Sequence, residues 1–283
     1  VFSKVKPRLL GLIFIFLTIS SLKRFDGAAA IDAKPAPLMV AGSGTCIPVV
    51  AKLAATFNLQ TAVPVTVPAS VGSSGAIKAL KEGSLSLGLT SRPLKEAEKN
   101  AGLTEIPFAK VGIVFGVHPG VPDTNLSSAD LVNIVKGVKT KWRNGRTIIV
   151  FNREEGDSTI ELLKKEVNGF TAAYQASRDE KKWIICFTDQ EEAQAIARTK
   201  NSFGFSDTGT IYAANIKIKA LNFNRIAPTL GNLRSAQYPF AKTLYFIYKG
   251  KLIPAEAQAF VNFVQSPPGQ KILAENGALA LEE

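Results

Sequence analysis

The chain has 283 residues and a formal net charge of +11, from 34 Lys and Arg against 23 Asp and Glu; 46% of residues are apolar and 20% charged. That mix is globular and excludes a disordered, collagen-like or disulfide-scaffold protein. One His (His118) and two Cys (Cys46, Cys186) leave almost no raw material for a Ser-His-Asp triad or a multi-His metal site, and none for a CxxC motif, a zinc knuckle or an iron–sulfur cluster. The basic excess is open to four explanations: nucleic acid, a membrane surface, a small anion, or solubility alone.

Residues 1–30 have the layout of a secretory signal peptide. Lys4, Lys6 and Arg8 precede an uncharged apolar run from Leu9 to Leu22, and Ala28-Ala29-Ala30 offers a cleavage site before Ile31. The run has 14 residues, short of the ~20 that span a bilayer. Lys23 and Arg24 between run and cleavage site leave an uncleaved anchor as the alternative. Without this segment the net charge falls to +7, and export makes nucleic acid a poor partner. An oxidising compartment would permit a Cys46–Cys186 bridge, which sequence alone does not establish.

After a lead-in at 31–37, strands and helices alternate. A strand at 38–41 is followed by a helix at 47–57, a strand at 63–67, a helix at 76–81 and strands at 84–90 and 111–117. His118-Pro119-Gly120 is a turn signal. A helix capped by Ser127 or Ser128 runs to Lys136; a strand at 147–151 and a helix at 159–167 follow. Asp189 is placed to cap a helix reaching Lys200, with acids in its first turn and bases in its last. Return strands at 217–223 and 244–248 lead to helices at 255–264 and 270–276. The rhythm predicts an α/β fold with largely parallel sheets, in two lobes joined by crossings near 117 and 223. Lobe 1 is then 38–117 plus 223–283, and lobe 2 is 118–222.

One device recurs. Gly42-Ser43-Gly44-Thr45, Gly72-Ser73-Ser74-Gly75 and Gly156-Asp157-Ser158-Thr159 each follow a strand and open a helix. A helix N-terminus presents free N–H groups and partial positive charge, glycine lets backbone approach a ligand, and hydroxyls add donors. Arg153 stands at the mouth of the third turn, where a guanidinium can grip two oxygens of an oxyanion. Nucleotide motifs are absent: Gly44-Thr45 lacks the P-loop Lys, and Gly42-x-Gly44 is followed by Ile47 where a dinucleotide fingerprint needs Gly. Ser73 lacks both GxSxG and a base.

These segments resemble the PstS-like phosphate-binding proteins of ABC transporters, in the type II periplasmic binding protein family. The likeness runs through AGSGT at 41–45, VGSSGAIKAL at 71–80, SLGLTSRPL at 86–94, LSSADLVNIVKGVKTKW at 126–142, NREEGDST at 152–159, NSFGFSD at 201–207, YPFAKTLYFIYKGK at 238–251 and FVNFVQSPPGQKILAENG at 260–277. It implies a two-lobed, two-hinge fold that closes on inorganic phosphate for a membrane permease, with no cofactor, no metal and no catalysis. It also implies a periplasmic location and a monomer. Thr45, the Cys46 N–H, Ser73, Arg153, Ser158 and Thr159 become phosphate contacts. Two positions depart from the family. Ser91, followed by Arg92, stands where the best-known members have the Asp that accepts the proton of hydrogen phosphate and so rejects sulfate. Asp157 stands where Ser is commoner. Asp157 is therefore expected either to take over as proton acceptor, with Arg92 offsetting its charge, or only to cap the helix. Sulfate or another tetrahedral oxyanion is the alternative ligand. A secreted phosphatase or a signalling or matrix protein is the alternative of another class.

Overall fold

The computed structural model describes residues 37–61 and 63–281. The candidate export signal at 1–30 lies outside the described residues. The chain begins with β1 (Leu38–Gly42), α1 (Ile47–Gln60), β2 (Val65–Thr66), α2 (Gly72–Glu82), β3 (Leu87–Thr90), α3 (Glu96–Lys99) and β4 (Leu103–Val117). It continues through β5 (Asn125–Leu126), α4 (Ser128–Lys136), β6 (Ile149–Arg153), α5 (Ser158–Glu166), α6 (Phe170–Asp179), β7 (Ile184–Cys186), α7 (Asp189–Arg198), β8 (Ser202–Asp207), α8 (Thr208–Ala213), β9 (Lys219–Ala220) and β10 (Asn222–Phe223). It closes with α9 (Leu230–Arg234), β11 (Ala241–Lys249), α10 (Ala255–Gln265), α11 (Pro267–Glu275) and β12 (Leu279–Ala280).

Ten strands join in one sheet of order β2-β1-β3-β11-β4-β8-β6-β7, with β9 and β12 also paired to β4, and β5 and β10 pair in a separate two-stranded sheet. Its two ends are parallel, β2-β1-β3 and β8-β6-β7, but β11 and β4 run antiparallel to their neighbours. The expectation of largely parallel sheets therefore holds at the ends and not in the middle. β4 is the reason. Its residues 103–112 pair with β11 and its residues 113–117 with β8, so both ends hang from one long strand. Only 111–117 reads as strand in the sequence, because Thr104, Glu105, Pro107 and Lys110 break the apolar pattern of the first part.

A separate core serves each end. Val50, Leu53 and Phe57 of α1 pack with Phe246 and Phe260, the rings of Phe57 and Phe260 meeting edge to face at 5.3 Å. At the other end Phe115 gathers Phe205, Phe223 and Phe240 around it, with Trp142 and Tyr174 in the same cluster. Burial of such rings supplies about 25 cal/mol per Å² of apolar surface. No helix among the described residues is long and apolar enough to cross a membrane.

Most expected elements recur, with informative shifts. The helix expected at 76–81 starts a turn earlier, at Gly72, whose φ of 70° suits glycine. The strand expected at 217–223 divides into β9 and β10. α7 is capped by Thr188, whose hydroxyl accepts from the Glu191 N–H, and not by Asp189. That leaves the Asp189 carboxylate for another use.

Gly42 sets the first turn against the sheet. A Cβ there would lie 2.1 Å from the Leu89 carbonyl oxygen, a backbone atom fixed by the β1–β3 ladder. Gly42→Ala should lower unfolding free energy by about 2–3 kcal/mol, measured by urea denaturation; a loss below about 0.5 kcal/mol would contradict this packing.

Candidate functional site

The three turns read from the sequence converge on a cleft of about 400 Å³, lined by Ser43, Ser73, Arg92, Arg153, Ser158 and Asp189 among others. α2 reaches it with no side-chain cap at Val71 and puts Ser73 and Ser74 on its wall, whereas at α1 the Ile47 N–H bonds to the Gly44 carbonyl at 3.2 Å and Pro48 has no N–H to offer. Phe187 and Val71, both more than half exposed, flank the opening.

Arg153 ends β6 and is 5% exposed. One guanidinium nitrogen donates to the Cys186 carbonyl at 3.0 Å, across the β6–β7 pair. The other nitrogens face Asp157, at 3.3 and 3.1 Å, with Asp189 at 3.6 Å and Glu192 at 3.7 Å. Burial works against the guanidinium charge, but these three carboxylates more than offset it and hold its pKa above the ordinary value. Burial likewise opposes the charge of Asp157, yet Lys242 and Arg153 hold that carboxyl below its usual range. Glu192 behaves differently. Complete burial pushes it up to about 8, with only partial relief from Arg153 and the Phe205 N–H. Arg153 is thus answered first by Asp157 and Asp189, and less by Glu192.

Hydroxyls form two further links. Ser43, Ser91 and Ser158 make a chain, with Oγ–Oγ distances of 2.8 and 3.0 Å. Thr45 and Thr159 each accept from the Lys242 ammonium, at 3.0 and 2.9 Å, and Thr45 donates to Asp189 at 3.1 Å. Gln190 adds a bond from its side-chain amide to the Gly44 carbonyl at 2.8 Å. A Cβ on Gly44 would lie 2.2 Å from an Asp189 oxygen, so glycine here is what admits the carboxylate to the turn.

The residues singled out in the sequence are placed unequally. Thr45, Ser91, Arg153, Asp157, Ser158 and Thr159 meet in this network, and Ser73 lines the cleft. The Cys46 N–H is committed to the Ser43 carbonyl at 3.0 Å. Arg92 lines the cleft but is gripped by Glu98 through two bonds of 2.8 Å, so the cation on Asp157 is Arg153 and not Arg92. Both Asp157 oxygens are occupied, one by Arg153 and the other by the Thr159 and Ile160 N–H groups. Cys46 and Cys186 are both free and buried, which answers the bridge left open by the sequence, and burial pushes both thiols up, Cys186 to about 12. Ser43, Asp189, Gln190, Glu192 and Lys242 belong to the site and were not anticipated.

The raised Glu192 gives a signed pH dependence. Its ordinary value is 4.5, and between there and about 8 the folded protein holds a proton that the unfolded chain has released. Stability attributable to Glu192 therefore falls as pH rises through that window. Glu192→Gln imitates the protonated acid and keeps an acceptor for the Phe205 N–H. It should match the native protein at pH 5 and exceed its stability by roughly 1–3 kcal/mol at pH 9, read from thermal unfolding; equal effects at both pH values would count against the assignment.

Comparison with known proteins adds the family context. A family model described as a PBP superfamily domain matches residues 27–268. A phosphate-binding protein PstS of Borreliella burgdorferi is 25% identical over 252 residues, covering 86% of this chain and 89% of that protein. A Clostridium perfringens chain solved with bound phosphate superimposes with a TM-score of 0.76 at 23% identity, covering 87% of this chain and 100% of that one. An ABC-type phosphate transport receptor of Vibrio cholerae gives 0.62 at 24% identity, covering 86% and 99%.

Proposed function

Because the chain belongs to the PBP superfamily, we propose that it is an exported solute-binding protein that takes inorganic phosphate into the cleft and delivers it to an ABC-transporter permease. The observation that carries this reading is the convergence on one cleft of Arg153, the uncapped start of α2 and the hydroxyls of Ser43, Ser73, Ser74 and Ser158, with Ser91 bonded to two of these and Thr45 and Thr159 joined behind them through Lys242. Desolvating a doubly charged anion is costly unless every oxygen finds donors, and this donor set is dense enough to supply them. The named relatives, two of them phosphate-binding by description, support the same ligand.

The mechanism follows from the sheet. Residues 38–112 with 241–281 are read as one lobe and 113–240 as the other, with the crossings inside β4 and at the start of β11, because Phe115, Phe223 and Phe240 share the second core. Phosphate meets donors of one lobe first. Closure brings in the other set, and the gain in partners favours the closed state. The protein works as a monomer in the periplasm and carries no catalytic function. In support of the last point, the two thiols are buried with raised pKa values, and His118 spends Nδ1 on the Gly120 N–H away from the cleft.

Selection against sulfate needs an acceptor for the phosphate proton. Asp157 has no oxygen to spare, so Asp189, with an oxygen 3.6 Å from Arg153 and its carboxylate on the cleft wall, takes this role. Calorimetry of the protein with phosphate, sulfate and arsenate tests the reading; sulfate bound in preference to phosphate would overturn it. Arg153→Ala should weaken phosphate binding by at least about 2 kcal/mol, roughly 30-fold, and a change under threefold would remove Arg153 from the site. Asp189→Asn should reduce the phosphate-to-sulfate preference by about tenfold or more, equivalent to ~1.4 kcal/mol. An unchanged preference would exclude Asp189 as acceptor.

A further inference from the structure

Lys242 lies on β11 and is 4% exposed. Strand alternation puts it on the face that also carries the buried Leu244 and Phe246. A buried ammonium demands compensation, usually a carboxylate. Among the described residues no carboxylate pairs with Lys242 at ion-pair distance; its side-chain partners are the hydroxyls of Thr45 and Thr159. Asp157 and Asp207 lie beyond that distance, yet both feel its charge, and for Asp157 it is the largest of the nearby cationic influences.

The chemistry of these partners fixes a direction. An ammonium only donates, so both threonine oxygens accept from it and their own O–H protons point elsewhere. Thr45 spends its proton on Asp189 at 3.1 Å, whereas the Thr159 hydroxyl has no acceptor among the described residues. Thr159 opens α5 next to Ser158, which lines the cleft. Arg153, by contrast, already has Asp157 and Asp189 around it.

We propose that Lys242 is a positioning residue behind the cleft: it turns the Thr159 hydroxyl into an obligate donor toward the ligand and, with no carboxylate in direct contact, adds positive charge to the site beyond that of Arg153. The ligand class it selects is a doubly charged oxyanion. This rests on the phosphate reading for the identity of that anion.

A double-substitution cycle on the full protein tests it, with affinity for inorganic phosphate read by calorimetry. Lys242→Met should lose at least 30-fold and Thr159→Val at least tenfold. If Lys242 acts through Thr159, the double variant should be no more than about threefold weaker than Lys242→Met alone, because the effects of coupled residues do not add. Should Lys242→Met fail to fold, Lys242→Gln, which keeps an amide donor without the charge, carries the same expectation. Affinity of the neutral variant within threefold of native, or losses that multiply in the double variant, would overturn the proposal. The same titrations use sulfate and molybdate in parallel. A native protein that binds one of these and not phosphate, with that binding lost on Lys242→Met, overturns the phosphate reading and keeps Lys242; a native protein that binds none of the three overturns both.

Discussion

A guanidinium held almost out of water has to be matched by partners on every side, and Arg153 collects them from three elements besides its own strand. Its carbonyl partner, Cys186, is delivered by the parallel pairing of β6 with β7. Asp157 arrives as the cap of α5, and Asp189 and Glu192 arrive from the first turn of α7. Removing one member of a buried charge cluster typically costs 3–5 kcal/mol, because the others are left unanswered. The registry of β6, β7, α5 and α7 is therefore bound to one side chain. The dual use of Asp157 shows how tightly: one oxygen closes the helix N-terminus and the other neutralises the arginine. A substitution that satisfied only one of those duties would disturb the other.

The same economy explains why the cleft is built from hydroxyls. Its carboxylates are spent on Arg153, and a further cation beside them would be neutralised rather than presented to an anion. Hydroxyls carry no charge to be cancelled and can serve as donor or acceptor, as in the Ser43–Ser91–Ser158 chain, where either atom of each pair can give the proton. Ser91 fits this logic. An Asp at that position would lie between two serines and place another negative charge near Asp157 and Asp189. Under the proposed reading the acceptor role falls to Asp189 on the α7 side of the cleft, while Ser91 bonds to Ser43 and Ser158.

How much of this was legible follows from the kind of signal each residue leaves. The turns at 42–45, 72–75 and 156–159 were readable because glycine and hydroxyl residues between a strand and a helix have few other uses, and Arg153 was readable from its place beside one of them. Asp189 was visible but misread. A carboxylate at the start of an acidic helix looks like a cap, and only the position of Thr188 shows that the cap is already filled. Arg92 erred the other way, since Glu98 is six residues downstream and nothing local announces the pairing. Glu192 was hidden because its burial under Arg153 depends on how α7 packs on β8. The first part of β4 was missed because its polar residues are sheltered by β11, a strand more than 130 residues away in the chain. Lys242 did leave a trace: positions 240, 242, 244 and 246 form one face, and a lysine among Phe240, Leu244 and Phe246 is an expensive exception in a buried strand.

That exception bears on the basic excess of the chain. Net charge acts at long range and is screened over about 8–10 Å at physiological salt, so surface lysines can draw anions toward the protein without determining where they stop. Inside the cleft the balance differs from the surface: Arg153 faces carboxylates, Arg92 faces Glu98, and Lys242 faces two hydroxyls. Of the three cations, only the one that the strand pattern marks as anomalous has no carboxylate in direct contact, although its charge reaches Asp157. Its position on β11, next to β4, also places it beside the strand from which both ends of the sheet are built. Thr45 stands at the start of α1 and Thr159 at the start of α5, so the pair of bonds from Lys242 reaches one hydroxyl at each end of the fold. An anion that accepts from the Thr159 hydroxyl would be held against the same strand that joins the two ends, with Lys242 already tied to Thr45 on the other side.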